Sequence, residues 1–255
     1  MSERGRDSAP ASSAATAGSR ARVAFFGGSF DPPHLGHLAV ARAARRAFRL
    51  DSVLFAPVGA QPLKNDGSAA SFADRLAMTR LAIEGEPGFA ISLADAPKAD
   101  GEPNFTLETL KGLCAQLGSG SELFCLMGAD SFLGLKRWHR AGEIPFAASL
   151  IVASRPGDSL DGLQAALPKG LTLEPAPEAE ESISGVEVRS FLLLNSASER
   201  SKFYVMPDLD VEISASEIRR RLRYGREGAP KMPAAEPRLL PDAVAEYIGA
   251  HGLYR

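Results

Sequence analysis

Through the first 157 residues, apolar and polar positions come in blocks rather than singly. ARVAFFGG (21–28), SVLFAPV (52–58), FAISLAD (89–95), ELFCLMGAD (122–130) and AASLIVASRPG (147–157) are short, nearly continuous apolar runs. Strands buried on both faces read this way. Between them lie segments whose apolar residues recur at helical spacing. HLAVARAARRAFRL (37–50) carries Leu38, Ala41, Ala44 and Phe48, and TLETLKGLCAQLG (106–118) reads similarly. FADRLAMTRLAIEG (72–85) places Phe72, Leu76, Thr79 and Ile83 on one side, with Gly85 as its stop. Strands alternating with helices of about a dozen residues predict right-handed βαβ units: an α/β fold with a Rossmann-like parallel sheet and helices on both faces.

The second half is less regular. LPKGLTLEPAPEAEES (167–182), rich in Pro and Glu, reads as a loop. Two β-like stretches follow, around Val186–Leu194 and Phe203–Met206. ISASEIRRRLRYG (213–225) predicts a helix with Ser214 as N-cap and Glu217 at capping-box spacing. LPDAVAEYIGAHG (240–252) predicts a C-terminal helix. Residues 1–20 hold no Leu, Ile, Val or Phe, and half are Ser or Ala. Too little apolar surface is available there to offset ordering entropy, so a disordered extension is expected. It has no apolar run of the secretory kind. Residues 21–255 are then expected to form a single domain.

Charge and cysteine content narrow the class. Twenty-nine Lys and Arg against thirty-one Asp and Glu give a formal charge of −2, which excludes a basic nucleic-acid coat. No apolar run approaches the roughly 18 residues of a spanning helix, so a soluble, cytoplasmic protein with neither membrane nor nucleic-acid partner is expected. Cys114 and Cys125, both in apolar strings, are expected to be buried reduced thiols. Two cysteines are too few for a disulfide framework, and their spacing fits no metal knuckle. Nothing in the sequence sets an oligomeric state.

Chemistry is concentrated in GGSFDPPHLGH (27–37), which leaves the first strand and opens the first helix. Gly27 and Gly28 allow a sharp turn and close approach of a phosphate to backbone amides. His34 and His37 are three residues apart and share one side of the first helical turn, where unpaired N–H groups and the positive end of the helix dipole lie. Two imidazoles plus those amides suit a polyphosphate. The string is neither a P-loop nor a dinucleotide fingerprint, and no third ligand nearby points to zinc. A second cluster, ISASEIRRRL (213–222), sets Ser214 and Ser216 before Arg219 at a helix start, a further candidate for the outer phosphates of a nucleotide.

GGSFDPPHLGH resembles the signature of the HxGH nucleotidyltransferase superfamily. That group includes pantetheine-phosphate adenylyltransferase, glycerol-phosphate cytidylyltransferase and the pyridine-nucleotide adenylyltransferases. ISASEIR resembles its second signature, with Ser216 where Thr is usual and Arg219 matching the signature Arg. NFTLETL (104–110), MGADSF (127–132), KRWH (136–139), ASRPG (153–157) and the ending LPDAVAEYIGAHGLYR resemble bacterial nicotinate-nucleotide adenylyltransferases in particular. A pantetheine-phosphate enzyme would be shorter and lack the KRWH and GLYR strings. The resemblance implies adenylyl transfer from ATP to nicotinate mononucleotide, a step of NAD biosynthesis, with Mg²⁺ accompanying ATP. It implies catalytic roles for His34, His37 and Arg219. It implies nucleotide contacts from Gly27, Gly28, Ser29, Phe30, Lys64, Asp130, Ile213, Ser214 and Ser216. Phe105, Thr106, Trp138 and Arg155 would then serve the nicotinate side. Phe105 stands where Tyr is common, and Leu63 precedes Lys64 where the family tends to have His. The other function class compatible with these strings is a nucleotide-binding regulatory protein without the chemistry.

Overall fold

The computed structural model describes residues 20–60, 67–154, 160–207, 214–224 and 239–255. The predicted alternation is present: β1 (Arg22–Gly28), α1 (Leu35–Ala47), β2 (Ser52–Pro57), α2 (Phe72–Ile83), β3 (Phe89–Ile91), α3 (Thr106–Leu117) and β4 (Glu122–Gly128). A short α4 (Ala129–Leu133), two 3-10 turns and α5 (Ile144–Ala147) lead to β5 (Ser149–Ala153). The second half gives α6 (Leu160–Ala166), β6 (Thr172–Ile183), β7 (Val186–Leu194), β8 (Arg200–Met206), α7 (Ala215–Tyr224) and α8 (Asp242–His251).

All eight strands form one sheet in the order β3-β2-β1-β4-β5-β8-β7-β6. β1 pairs in parallel with β2 and with β4, so the chain reverses its direction of winding across the β1–β4 seam. That reversal opens a crevice at the carboxyl ends of the two strands, the place where open α/β sheets bind ligands. Alternate residues of β1 serve the two faces. Ala24 and Phe26 join α1 in one core, while Val23 and Phe25 join α3, α4, α5 and α6 in the other.

Two expectations fail in the second half and in α2. The Pro- and Glu-rich stretch at 167–182 is largely β6, an antiparallel partner of β7, and β7 in turn runs antiparallel to β8. The sheet is therefore mixed, with a parallel body and an antiparallel edge. The composition misleads because β6 is the outermost strand, where Pro is tolerated; its register breaks between Pro175 and Glu180. The buried face of α2 also differs from the apolar pattern. It is built by Arg75, Met78, Thr79, Ala82 and Ile83, with Arg75 only 2% exposed. Cys125 is buried as expected, but Cys114 is exposed on α3. The expected N-terminal extension lies, except for Arg20, outside the described residues.

A third, smaller core joins the C-terminal segment to the site. Ala70, Met78 and Ala82 meet Val244, Ile248 and Tyr254, and Leu222 of α7 packs against the same cluster. α7 is thus docked on α2, α8 and the C-terminal residues.

Candidate active site

β1 ends in Gly27 and Gly28, and the chain turns through Ser29 and Phe30 into the first turn of α1. A Cβ on Gly27 would come within 2.7 Å of the Phe25 ring, which would have to shift within its core to admit it. Phe30 adopts φ 48°, a left-handed conformation rare for a residue with Cβ. Its ring compensates by burying to 1% exposure against Phe26 and Phe55. That ring also lies 5.0 Å from His37, so it forms an apolar floor under the imidazole.

α1 begins two residues earlier than the sequence pattern implies, with His34 as its N-cap and His37 at the third helical position. The two rings stack at 3.7 Å with 27° between planes. His34 backbone N–H donates to His37 Nδ1 at 3.1 Å. That bond fixes the tautomer: Nδ1 is an acceptor, so the proton of the neutral ring sits on Nε2. Burial, with His34 adding to it, holds the His37 pKa well below the ordinary 6.5. At neutral pH His37 is therefore an uncharged Nε2–H donor.

A cavity of about 330 Å³ lies above these rings. Gly27, Gly28, Ser29, Phe30, His34 and His37 line it from β1 and α1, and Asp130 from the first turn of α4. Ser214, Ser216 and Arg219 close it from α7. Arg219 Nη1 donates to the Asp31 backbone carbonyl at 2.6 Å and Nη2 to Ser216 Oγ at 3.1 Å, so its guanidinium is held at the rim. Glu217 lies in the first turn of α7. It pairs with Arg220 and Arg221 on the exposed side, because two guanidiniums lie three and four residues along the same helix face.

A second cavity, about 570 Å³, opens on the other side of the glycine turn and shares Gly27, Gly28, Ser29, Asp130 and Ser131 with the first. Phe105, Thr106 and Trp138 line it. Thr106 is the first residue of α3, whose N-terminal amides face a site of this kind with a favourable dipole. Trp138 packs its remaining surface against the main core. The partner ring of Phe105 is His139, tilted by 32° with the centroids 4.3 Å apart. Lys64, Arg155 and Ile213 lie outside the described residues.

Four further residues shape the site without standing out in the sequence. Arg75 donates to the Ser29 carbonyl at 2.7 Å and to the Val58 carbonyl at 2.8 Å, tying the glycine turn to the end of β2. Asp31, 4% exposed, accepts from the Ala69 and Ala70 N–H groups and from the Tyr254 hydroxyl. Asp95 lines the larger cavity, takes a hydrogen bond from Thr109, and has its pKa raised by burial. His139 is the fourth. Asp31, Asp95 and His139 each sit inside a string already quoted for other residues. Arg75 gives no signal, since a charged residue on a helix is ordinarily assigned to solvent.

Known proteins resemble this chain over most of its length. The cytidylyltransferase-like family model matches residues 25–221. A Roseiflexus sp. protein named "probable nicotinate-nucleotide adenylyltransferase" is 37% identical over 239 residues, which are 93% of this chain and 100% of the relative. A protein of the same name from Gloeobacter violaceus is 34% identical, over 91% of this chain and 96% of its own. Among solved structures, the nicotinic acid mononucleotide adenylyltransferase of Plasmodium falciparum complexed with NaAD superposes with a TM-score of 0.62 at 16% identity, covering 92% of this chain and 98% of that one. At that identity the superposition speaks for the fold alone. With the relatives at a third identity or more spanning nearly both full lengths, the chain belongs to the nicotinate-nucleotide adenylyltransferases of the cytidylyltransferase-like family.

Proposed function

We propose that this protein transfers the adenylyl group of ATP to nicotinate mononucleotide, forming deamido-NAD and releasing pyrophosphate. The observation that carries the reading is the pair of cavities meeting at one glycine turn, one floored by phosphate-type donors and the other walled by aromatic rings. The smaller suits the triphosphate; the larger suits a pyridine mononucleotide. Their shared wall is where the two phosphates must meet.

The step is in-line displacement. A phosphate oxygen of the mononucleotide forms a bond to the α-phosphorus of ATP. The bond from that phosphorus to the α–β bridging oxygen breaks, and pyrophosphate departs with the electron pair. The nucleophile is already an anion, so no general base and no covalent enzyme intermediate are needed. The protein's work is positioning and stabilising charge. His37 donates from Nε2 to a phosphoryl oxygen, with His34 beside it. Arg219, the glycine-turn amides and, by sequence position, Lys64 hold the departing pyrophosphate. Ser29, Ile213, Ser214 and Ser216 complete the nucleotide side, and Asp130 at the seam serves a ribose. Trp138 and Phe105 stack the pyridine while the α3 amides at Thr106 receive its carboxylate. Arg155 belongs to that side.

Mg²⁺ fits as a companion of ATP rather than a resident of the protein. Among the described residues no three His, Cys, Asp or Glu side chains converge, and Asp31 has its carboxylate already engaged by three donors. An ion held through phosphates and water, with at most a carboxylate such as Asp130, matches the preference of Mg²⁺. It would offset the charge of the triphosphate. The test is pyrophosphate release from ATP with nicotinate mononucleotide, nicotinamide mononucleotide or phosphopantetheine as acceptor. Turnover with nicotinate mononucleotide above the other two is expected, and release with none of them would refute the assignment.

A further inference from the structure

We propose that Tyr254, in the C-terminal segment beyond α8, is a positioning residue for catalysis: through Asp31 it holds the Arg219 guanidinium over the phosphate cavity. The proposal rests on the functional reading above and names a residue that acts on that site from outside it.

The chain of contacts is continuous. Arg219 Nη1 donates to the Asp31 carbonyl at 2.6 Å, so the direction of the guanidinium follows the position of one peptide unit. The Asp31 side chain fixes that peptide. Oδ2 accepts from the Ala69 N–H at 2.7 Å, and Oδ1 accepts from the Ala70 N–H at 3.1 Å and from the Tyr254 hydroxyl at 2.7 Å. The tyrosine bond is the shorter of the two on Oδ1 and the only one of the three from a side chain. At 4% exposure Asp31 has little water to replace a lost donor.

Tyr254 is itself well placed to be a fixed point. It is 7% exposed and packs in the small core that joins α2 and α8. Leu222, three residues beyond Arg219, packs against that same core. Arg219 is thus tied at its backbone by α7 docking and at its tip by Asp31, and both ties end on the cluster containing Tyr254. Burial and the Asp31 carboxylate raise the Tyr254 pKa, so the hydroxyl remains a donor at any working pH. Loss of the hydroxyl frees Oδ1 and lets the Asp31 peptide shift. A shift near 1 Å in a charge-stabilising group costs on the order of 10²-fold in rate at worst.

A double-mutant cycle with Tyr254→Phe and Arg219→Ala tests the link in the full chain, since Phe keeps the ring in its core and removes only the oxygen. Arg219→Ala is expected to lower kcat about 100-fold, as loss of one charge-stabilising donor does. Tyr254→Phe should lower kcat about 10-fold with KM for the mononucleotide nearly unchanged, because the damage is confined to positioning. The double variant should be no worse than Arg219→Ala alone, the non-additivity expected of groups acting as one unit. The same cycle is read in ATP affinity by calorimetry, which does not depend on the acceptor, so failure of the substrate assignment is distinguishable from failure of this link. Tyr247→Phe is the control: its hydroxyl donates to Asp74 at 3.0 Å in the same cluster, and wild-type kcat is expected. Losses that multiply in the double variant, a Tyr254→Phe enzyme within twofold of wild type, or an equal loss in Tyr247→Phe would each overturn the proposal.

Discussion

Replacing Arg75 by Met removes the cation that ties two loops at the site while keeping much of its volume. Arg75 is 2% exposed and donates to the carbonyls of Ser29 and Val58 at 2.7 and 2.8 Å. Each bond to a charged donor contributes about 1.5–3 kcal/mol, and removing it leaves a carbonyl short of a partner. The buried Asp31 carboxylate also loses a favourable charge nearby. Against this stands the gain from no longer burying a guanidinium, which burial opposes, as the lowered pKa of Arg75 shows. The balance is a destabilisation of about 3–4 kcal/mol, the size expected when one partner of a buried polar network is deleted. At about 2–4 °C per kcal/mol for a domain of this size, the thermal midpoint falls by roughly 6–16 °C. Calorimetry checks the midpoint. Arg75→Lys is the discriminating companion: a single ammonium cannot reproduce the fork that reaches both carbonyls, so an intermediate loss is expected. A Lys enzyme as stable as wild type, or a Met enzyme within about 1 kcal/mol of it by urea titration, would refute the reasoning.

Other consequences follow from the same geometry. His37→Ala should lower turnover by about 10²-fold or more, since it removes one donor to developing charge; pyrophosphate release checks it. The lowered His37 pKa carries a sign for stability: the folded state refuses a proton that the unfolded chain accepts below about pH 6.5, so this contribution is full above that pH and lost as pH falls from there towards the lowered folded value. The urea midpoint of wild type should therefore drop more between pH 7.5 and 5.5 than that of His37→Asn, and equal drops would refute it. Trp138→Ala should raise KM for nicotinate mononucleotide about 10-fold while leaving KM for ATP within twofold, the split expected if one ring serves only the larger cavity.

Most of the parallel body and both phosphate strings are legible because they obey local rules. Apolar blocks such as 21–28 and 122–130 leave little alternative to buried strands. The spacing of His34 and His37 brings both rings to the N-terminal end of α1, with His34 as its N-cap and His37 in its first turn. Illegible residues depend on contacts between distant parts of the chain. Arg75 looks like a solvent-facing residue until the β1 turn, 46 residues earlier, brings the Ser29 carbonyl to it. Tyr254 and Asp31 are 223 positions apart, and no periodicity links them. β6 reads as a loop because Pro and Glu describe an edge strand equally well, and only its pairing with β7 decides between them. His139 is overshadowed in the sequence by the lone tryptophan beside it; that its ring faces Phe105 is a matter of tertiary geometry.

The near-neutral charge of the chain has a mechanistic reading. Among the described residues lining the smaller cavity, Arg219 is the one cationic side chain, and His37 beside it is held neutral. The other polar side chains there are mostly dipoles, the serine hydroxyls and an imidazole N–H, while the first-turn amides of α1 at Leu35 and His37 are already bonded to the Leu239 and His34 carbonyls. Dipoles of this kind gain strength as charge accumulates on the phosphoryl oxygens and cost little desolvation while the site is empty. They also fall off steeply with distance, so they do little to draw ATP in from solution. Association is then governed by short-range fit rather than by long-range steering, which needs a concentrated field. With Mg²⁺ saturating, KM for ATP should rise less than about threefold between roughly 0.05 and 0.5 M KCl, even if Lys64 adds a second cation, because a one- or two-charge site has little field to screen. Steady-state kinetics across that salt range decides the matter. A rise of about tenfold or more would show that charge attraction, not an array of fixed dipoles, does the binding.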